Sequence, residues 1–310
     1  MIPEPETPFM TQIKVLLSLG TTDNDYQREQ ASAAQSAAER SGVDLRVIYA
    51  GGDAITQTKQ LLAVTQVPTQ DRPDVIVVHP CGTSMPQVAK AAVQARIGWV
   101  VVNRVADYVT EMRAQSRMPV AYIALDNLEV GRLQGRQFAA LLPDGGQVLY
   151  LEGPANEVSK QRRAGTMETL PPNIELQSAR GRWTSESGAQ ALTIRLGLRG
   201  TRVPDLIGSQ NDDMALGARR AVEALPPGPH RDQWLAIPYT GIDGVPATGQ
   251  AWVQQHLLAA TIIAPPLAGV AVEMLARAIQ TGQPMPDRTM MQPTSYPPVA
   301  ELRPAAAIER

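Results

Sequence analysis

Two doubly wound α/β halves with parallel sheets, carried on one chain, are what this sequence predicts. Three observations lead there. Short β-branched runs alternate with Ala-rich helical stretches, the pattern of a parallel sheet wound by helices. The alternation starts over near residue 147, and 310 residues are enough for about two domains.

In the first half, the run Ile13–Ser18 reads as a strand. Tyr26–Ser41 reads as a helix whose Ala-rich centre, Ala31 to Arg40, can lie close on a sheet. Strand Asp44–Tyr49, helix Ile55–Val67, strand Val75–Val78, helix Pro86–Ala95 and strand Trp99–Val102 follow. A linking strand, Val120–Ala124, leads into helix Glu129–Leu142. The second half begins with strand Gln147–Leu151, helix Val158–Met167, strand Ile174–Ser178 and helix Glu186–Leu196. Strand Asp205–Ile207, helix Asp213–Leu225 and strand Leu235–Ile242 complete it. The two similar halves suggest an old duplication, although no residue-level repeat relates them. Pro265-Pro266 ends a strand and starts a helix, since proline forces an extended residue before it and suits a first helical turn.

Composition narrows the function. Apolar residues make up 44% of the chain, enough for a proper core, and the net charge of −2 argues against nucleic acid or an anionic membrane as main partner. The single cysteine, Cys81, excludes an intrachain disulfide and a multi-cysteine metal site. His79, His230 and His256 are scattered without metal-ligand spacing. Gly51-Gly52-Asp53 and Asp144-Gly145-Gly146 are the Gly clusters of note, and neither forms a phosphate-binding fingerprint. A nucleophile elbow is also missing. The expectation is a non-enzyme with no cofactor, no metal and no direct membrane insertion. Ile13 to Leu19 is interrupted by Lys14 and Ser18 and lacks a cleavage-like end, so it reads as a first strand rather than a signal segment. The leader 1–11, with three prolines, reads as a flexible tail.

The stretch Gly208-Ser-Gln-Asn-Asp-Asp-Met-Ala-Leu-Gly-Ala218 carries the most information. It follows the apolar run Val203 to Ile207 and opens a helical pattern, with Asp212 or Asp213 able to cap the first turn. In open α/β sheets ligands bind beyond the carboxyl ends of the strands, so Asn211 faces a binding crevice unless it serves only the turn. An amide there can donate to one hydroxyl and accept from another.

This segment closely resembles the Gln-Asn-Asp-x-Met-Ala-x-Gly-Ala signature of type I periplasmic sugar-binding proteins, the ribose-binding group in particular. Further pieces follow in family order. Pro80 follows the strand Val75–Val78, and Val100-Val-Val-Asn-Arg104 stands where the family has a strand ending in Asp-Arg. Tyr122-Ile-Ala-Leu-Asp-Asn127 looks like the crossover segment, and Arg162-Arg-Ala-Gly165 matches Arg-x-x-Gly. Gly241-Ile-Asp-Gly244 matches Gly-Phe-Asp-Gly, and Leu258-Ala-Ala-Thr-Ile262 matches the return strand. The set covers residues 13 to 295.

The resemblance implies a fold of two lobes joined by a three-segment hinge, with crossings near Asp126, Ile263 and Met291. The lobes would be residues 12–125 plus 264–290 and residues 126–263 plus 291–310. It also implies a monomer that closes around a sugar in the cleft between the lobes and delivers it to the permease of an ABC transporter in the periplasm. A signal peptide would then be absent from this chain; a native, complete chain would instead act in the cytoplasm.

A sugar needs bidentate polar groups around its edge and flat side chains on its faces. The resemblance supplies both. Asn24, Tyr26, Asn103 and Arg104 match the first lobe's set, and Arg162, Trp183, Asn211 and Asp243 the second's. Arg163 is the alternative to Arg162, because this loop is one residue shorter than its ribose-binding counterpart. Asn103 stands in place of an acid, Gln27 in place of a second aromatic and Ala264 in place of a glutamine, so ribose itself becomes doubtful as ligand. His79 replaces a common Asn, and either touches ligand or satisfies loop backbone. Two other readings share the two-lobed core. One is a sugar sensor that signals to a kinase or other partner. The other is a regulator core of the lactose-repressor type without its DNA-binding domain, for which the first strand at Ile13 leaves no preceding helix-turn-helix.

Overall fold

Strand β1, Lys14–Leu19, is buried at every position after its first, as befits a strand covered on both faces. The computed structural model describes residues 12–82, 85–198 and 202–304; the leader at 1–11 and the last six residues lie outside the described residues. After β1 come α1 (Asp25–Ser41), β2 (Asp44–Tyr49), α2 (Ala54–Gln66), β3 (Val75–Val78), α3 (Met85–Gln94), β4 (Gly98–Val102), α4 (Tyr108–Ala114) and β5 (Val120–Leu125). Then follow α5 (Asn127–Leu141), β6 (Gly146–Glu152), α6 (Glu157–Thr169), β7 (Ile174–Arg180), α7 (Ser185–Gly197), β8 (Leu206–Ser209) and α8 (Asp212–Glu223). The last elements are α9 (Pro229–Ala236), β9 (Tyr239–Thr240), α10 (Ala251–Gln254), β10 (Thr261–Ile263), α11 (Leu267–Thr281), β11 (Arg288–Met291) and β12 (Thr294–Tyr296). The α/β class expected from the alternation is the observed one.

The described residues group into two compact units. Residues up to Thr22, Gln27–Ala124 and Pro266–Thr289 form one; Asp23–Tyr26, Leu125–Pro265 and Met290 onward form the other. In the first, the sheet runs β11-β5-β4-β3-β1-β2, and the pairs from β2 to β5 are parallel. Its core is Leu16, Ile76, Val78, Trp99, Val101 and Val120 under Val88 and Ile97. In the second, a parallel sheet runs β7-β6-β8-β9, and β10 and β12 form an antiparallel ribbon. One of its cores packs Leu149, Leu151, Leu192 and Ile207 on Trp234 and Tyr239. The other places Phe138 edge-on to Tyr150, with ring centroids 6.0 Å apart.

Local chemistry sets the helix starts. Asp53 caps α2 by accepting from Ile55 and Thr56 N–H, Asp126 caps α5 by accepting from Glu129 N–H, and Thr184 with Ser187 forms a capping box on α7. Two expectations are corrected. The run Leu235–Ile242 is not one strand: Pro229 at a first helical turn starts α9, which runs through Ala236, and the strand is only Tyr239–Thr240. Trp234, fully buried, anchors that helix to the core. Neither aspartate caps α8, because Asn211 does so, accepting from Met214 N–H at 3.1 Å. Helix α4 lies in a stretch the patterning left unassigned.

Candidate functional site

In the second unit, two helices touch backbone to backbone. A Cβ added at Gly165 would stand 1.9 Å from the Leu128 carbonyl oxygen, and one at Gly131 would stand 2.0 Å from that of Arg162. This approach of α6 to α5 brings Arg162 against the first turn of α5. Arg162 is only 4% exposed. Its Nε donates to Asn127 Oδ1 at 3.0 Å, its Nη1 donates to the Gln210 carbonyl, and its guanidinium lies 5.5 Å from the Trp183 ring centroid. Among the described residues no hydrogen bond engages Nη2. Burial pushes the Arg162 pKa down, and the Asp243 carboxylate opposes that shift. Arg163 is placed differently, donating to Glu152 Oε1 at 2.6 Å and Ser178 Oγ at 2.7 Å. Arg162, not Arg163, joins Trp183.

Trp183 sits in the turn before α7 with φ of 67°, a left-handed conformation that costs a non-glycine residue on the order of 1–2 kcal/mol. Two neighbours hold it there. Asn211 Nδ2 donates to the Trp183 carbonyl at 3.0 Å, and the indole fills the space where a Cβ on Gly153 would stand, 2.2 Å from the ring. The Asn211 amide therefore has its oxygen on the α8 cap and one donor on Trp183, and so helps to hold the tryptophan in place. Gln210 braces the same floor. Its Oε1 accepts from Gly153 N–H at 3.0 Å, and its Nε2 donates to Tyr150 and to the Ser159 carbonyl.

Asp243 also has positive φ, 114°, and is 8% exposed. Its backbone is tied to β10 on both sides: its N–H donates to the Ile262 carbonyl at 2.9 Å, and its carbonyl accepts from Ala264 N–H at 3.0 Å. Its carboxylate accepts no hydrogen bond among the described residues. Burial holds the pKa well above the ordinary carboxylate value; Arg162 pulls it down, while Asp212 and Asp213 push it further up. Asp212 is the opposite case. It accepts from Thr261 Oγ1 at 2.7 Å and Gly244 N–H at 2.8 Å. A Cβ at Gly241 or Gly249 would stand 2.0 Å from one of its oxygens. Burial pushes Asp212 up to about 7 in spite of both hydrogen bonds. Ala264, 4% exposed, offers no polar side chain. Residues 23–26 group with this unit. Tyr26 is buried and its hydroxyl donates to the Pro265 carbonyl at 3.3 Å, Asp25 N–H donates to Asp213 Oδ2 at 3.0 Å, and Asn24 is partly buried.

In the first unit, His79 lies between two amides. Gln27 Nε2 is 2.8 Å from His79 Nδ1, and Asn103 Nδ2 is 3.1 Å from His79 Nε2. Gln27 Oε1 accepts from Gly20 N–H at 3.1 Å. Asn103, at the end of β4, has φ of 68°, which Asn tolerates better than most residues. Arg104 reaches the Gly82 carbonyl at 3.5 Å. Burial first, and Arg104 second, push His79 down to about 3, so the imidazole is neutral at ordinary pH. Beneath it, fully buried Gln57 donates to Ser18 Oγ at 3.1 Å and to the His79 carbonyl at 3.0 Å, and accepts from Cys81 N–H at 2.8 Å.

Among the described residues, three of the five non-glycine residues with positive φ are Asn103, Trp183 and Asp243, all singled out by the sequence. Such outliers collect where surrounding structure holds groups ready for a ligand. Gln57, Gly153, Gln210 and Asp212 were missed. Gln210 and Asp212 flank Asn211 within the quoted signature, which is a signal for them, whereas Gln57 and Gly153 carry none of that kind. No group of three or more His, Cys, Asp or Glu side chains among the described residues is placed to hold a metal ion.

Comparison with known proteins adds to this geometry. The periplasmic binding protein domain model matches residues 15–284. A fructose import binding protein of Bifidobacterium longum (strain NCC 2705) is 30% identical over 195 residues, which span 61% of this chain and 58% of that protein. A ribose import binding protein of Salmonella typhimurium is 25% identical over 256 residues, 82% of this chain and 79% of that one. A periplasmic solute binding protein of an ABC transporter from Actinobacillus succinogenes 130z, with bound D-allose, shares the fold with a TM-score of 0.76. It is 22% identical, with 92% of this chain and 97% of that chain covered. The fructose binding periplasmic domain of a hybrid two component system matches with a TM-score of 0.73 at 21% identity, over 92% of this chain and 90% of that one.

Proposed function

This chain belongs to the periplasmic binding protein domain family, and we propose from that premise that it binds a monosaccharide or similar small polyol and delivers it to an ABC-type sugar transporter. The observation that carries the reading is the Asp243 carboxylate. It is buried, accepts no hydrogen bond among the described residues, and shares its surroundings with the Arg162 guanidinium, which keeps one nitrogen without a hydrogen bond. A buried charge left in this way is costly unless a ligand completes it. Sugar hydroxyls are suited to the task, donating to the carboxylate and accepting from the guanidinium. The flat face of Trp183 suits the apolar face of a sugar ring.

In this reading Asp243, Arg162 and Trp183 contact the ligand. Asn24 and Tyr26, which group with the same unit, supply further polar and aromatic contacts, while Asn211 holds Trp183 in place. The ligand is met in the periplasm by a monomer. Thermal-shift measurements against D-ribose, D-allose, D-fructose and myo-inositol test the reading, followed by calorimetric titration of the best. No stabilisation by any sugar or polyol would overturn it. A second reading, a sensor that passes sugar occupancy to a kinase, draws support from the likeness to the periplasmic domain of a two component system. Co-purification with a permease rather than with a kinase separates the two.

A further inference from the structure

A chain of fully buried side chains, Gln210, Tyr150 and Gln134, runs beneath the loop on which Trp183 lies. Backbone groups at its two ends fix the direction of every hydrogen bond in it. Gly153 N–H can only donate, so the Gln210 atom 3.0 Å away is Oε1. Gln210 Nε2 then faces the Ser159 carbonyl at 3.0 Å, which can only accept, and the Tyr150 hydroxyl at 3.1 Å. At the other end the Ser209 carbonyl accepts from Gln134 Nε2 at 2.7 Å, so Gln134 Oε1 is the atom that takes the Tyr150 proton, also at 2.7 Å. The Thr166 hydroxyl, 3.3 Å from Tyr150, donates to the Arg162 carbonyl at 2.9 Å. Burial holds the Tyr150 pKa up at about 12, so the phenol keeps its proton. Turning either amide would set donor against donor at one end and acceptor against acceptor at the other. A buried polar network satisfied in this way is rigid.

We propose that Gln210 is the positioning residue for the Trp183 ring: its side chain, kept in one orientation by Tyr150 and Gln134, holds Gly153 where the indole lies. The ring has no slack there. Its Cη2 and Cζ2 atoms come within 2.2 Å of where a Cβ on Gly153 would stand, so a shift of Gly153 moves the ring with it. The main chain of Gln210 serves the other half of the pair. Its N–H donates to the Leu151 carbonyl at 2.9 Å, and its own carbonyl accepts from Arg162 Nη1, whose guanidinium lies 5.5 Å from the Trp183 ring centroid. One residue thus ties both the aromatic face and the guanidinium to the ends of β6 and β8. Binding groups hold their geometry only where such supporting contacts lock them. The positioning of Trp183 stands apart from the sugar-binding reading; its consequence for the ligand rests on that reading.

The test uses the full chain labelled with 4-fluorotryptophan, which gives one fluorine resonance for each of the four tryptophans. The Trp183 line is assigned by its loss in Trp183→Phe. Gln210→Met fills the same space without a polar group, and its main-chain carbonyl still serves Arg162. Without ligand, the Trp183 line is expected to move or broaden in this variant, while the lines of Trp99, Trp234 and Trp252 stay. Gln210→Asn, one methylene shorter, is expected to act alike and takes its place if Gln210→Met does not fold. A Trp183 line unchanged in a folded variant overturns the proposal; so does an equal change in all four lines, which means a general loosening. For the consequence, calorimetric titration uses the best-bound of D-ribose, D-allose, D-fructose and myo-inositol. Gln210→Met is expected to weaken it about tenfold or more, but less than about twofold in a Trp183→Ala background, because Gln210 acts through that ring. Equal losses in the two backgrounds, or no loss in the first, overturn the role in binding. If none of the four binds the wild type, the proposed function fails for these sugars, while the fluorine spectra still decide the positioning.

Discussion

Replacing Asp212 by Asn should change how stability depends on pH, and the structure sets the size of the effect. Asp212 is 3% exposed, and burial raises its pKa from 3.8 to about 7. Between those values the folded protein holds a proton on Asp212 that the unfolded chain has released. Asp212's contribution is thus complete below the unfolded pKa and is lost as pH rises through about 7. At 1.36 kcal/mol per unit, the loss between pH 5 and pH 8 is on the order of 3 kcal/mol. Asn matches the protonated acid in shape: its oxygen can accept from Gly244 N–H, and its NH2 can donate to Thr261 Oγ1. Urea denaturation of wild type and Asp212→Asn at both pH values measures the difference. The variant is expected to gain on the wild type by that amount from pH 5 to pH 8. His79 and Asp243 titrate in both proteins and drop out, apart from the repulsion of Asp243 by Asp212, which acts in the same direction. Parallel stability curves would refute the reasoning and mean that Asp212 is ionised at pH 5.

Arg162→Ala should weaken ligand binding roughly 30- to 150-fold, since a hydrogen bond from a charged group is worth about 2–3 kcal/mol; Arg163→Ala should leave calorimetric affinity within about twofold, its partners being Glu152 and Ser178. Gly153→Ala puts a methyl group where the indole lies, so it should reduce affinity as Trp183→Ala does, and a binding-competent Gly153→Ala would show that the ring's position is immaterial. Gly165→Ala must separate α5 from α6 and should cost about 1–3 kcal/mol in urea denaturation, with an unchanged midpoint contradicting the close approach.

The sequence by itself determined the class of fold and most of its elements, because strand and helix patterning acts within a few residues. Val75–Val78 and Gly98–Val102 are apolar throughout because helices cover both faces of their sheet, and such runs are readable without knowing the partners. The strand-to-helix turn at Ser209–Asp212 was legible for the same reason. Reading failed where local signals were short or competing. Leu235 and Ala236 look like the start of an apolar strand, but Pro229 had already begun a helix that Trp234 pins to the core. The roles within the candidate site were decided by the tertiary structure alone. Residue type says that Asn211, Asp212 and Asp243 are polar; only distant partners say which are satisfied. Asn211 is tied to a carbonyl 28 positions earlier, Asp212 to a hydroxyl 49 positions later, while the Asp243 carboxylate accepts no hydrogen bond among the described residues. Gly153 is needed because an indole from another loop lies on it, and Arg162 is separated from Arg163 by which face of α6 meets α5. Hydrogen bonding and close packing depend on neighbours in space, and folding brings those together from positions that no local pattern in the chain relates.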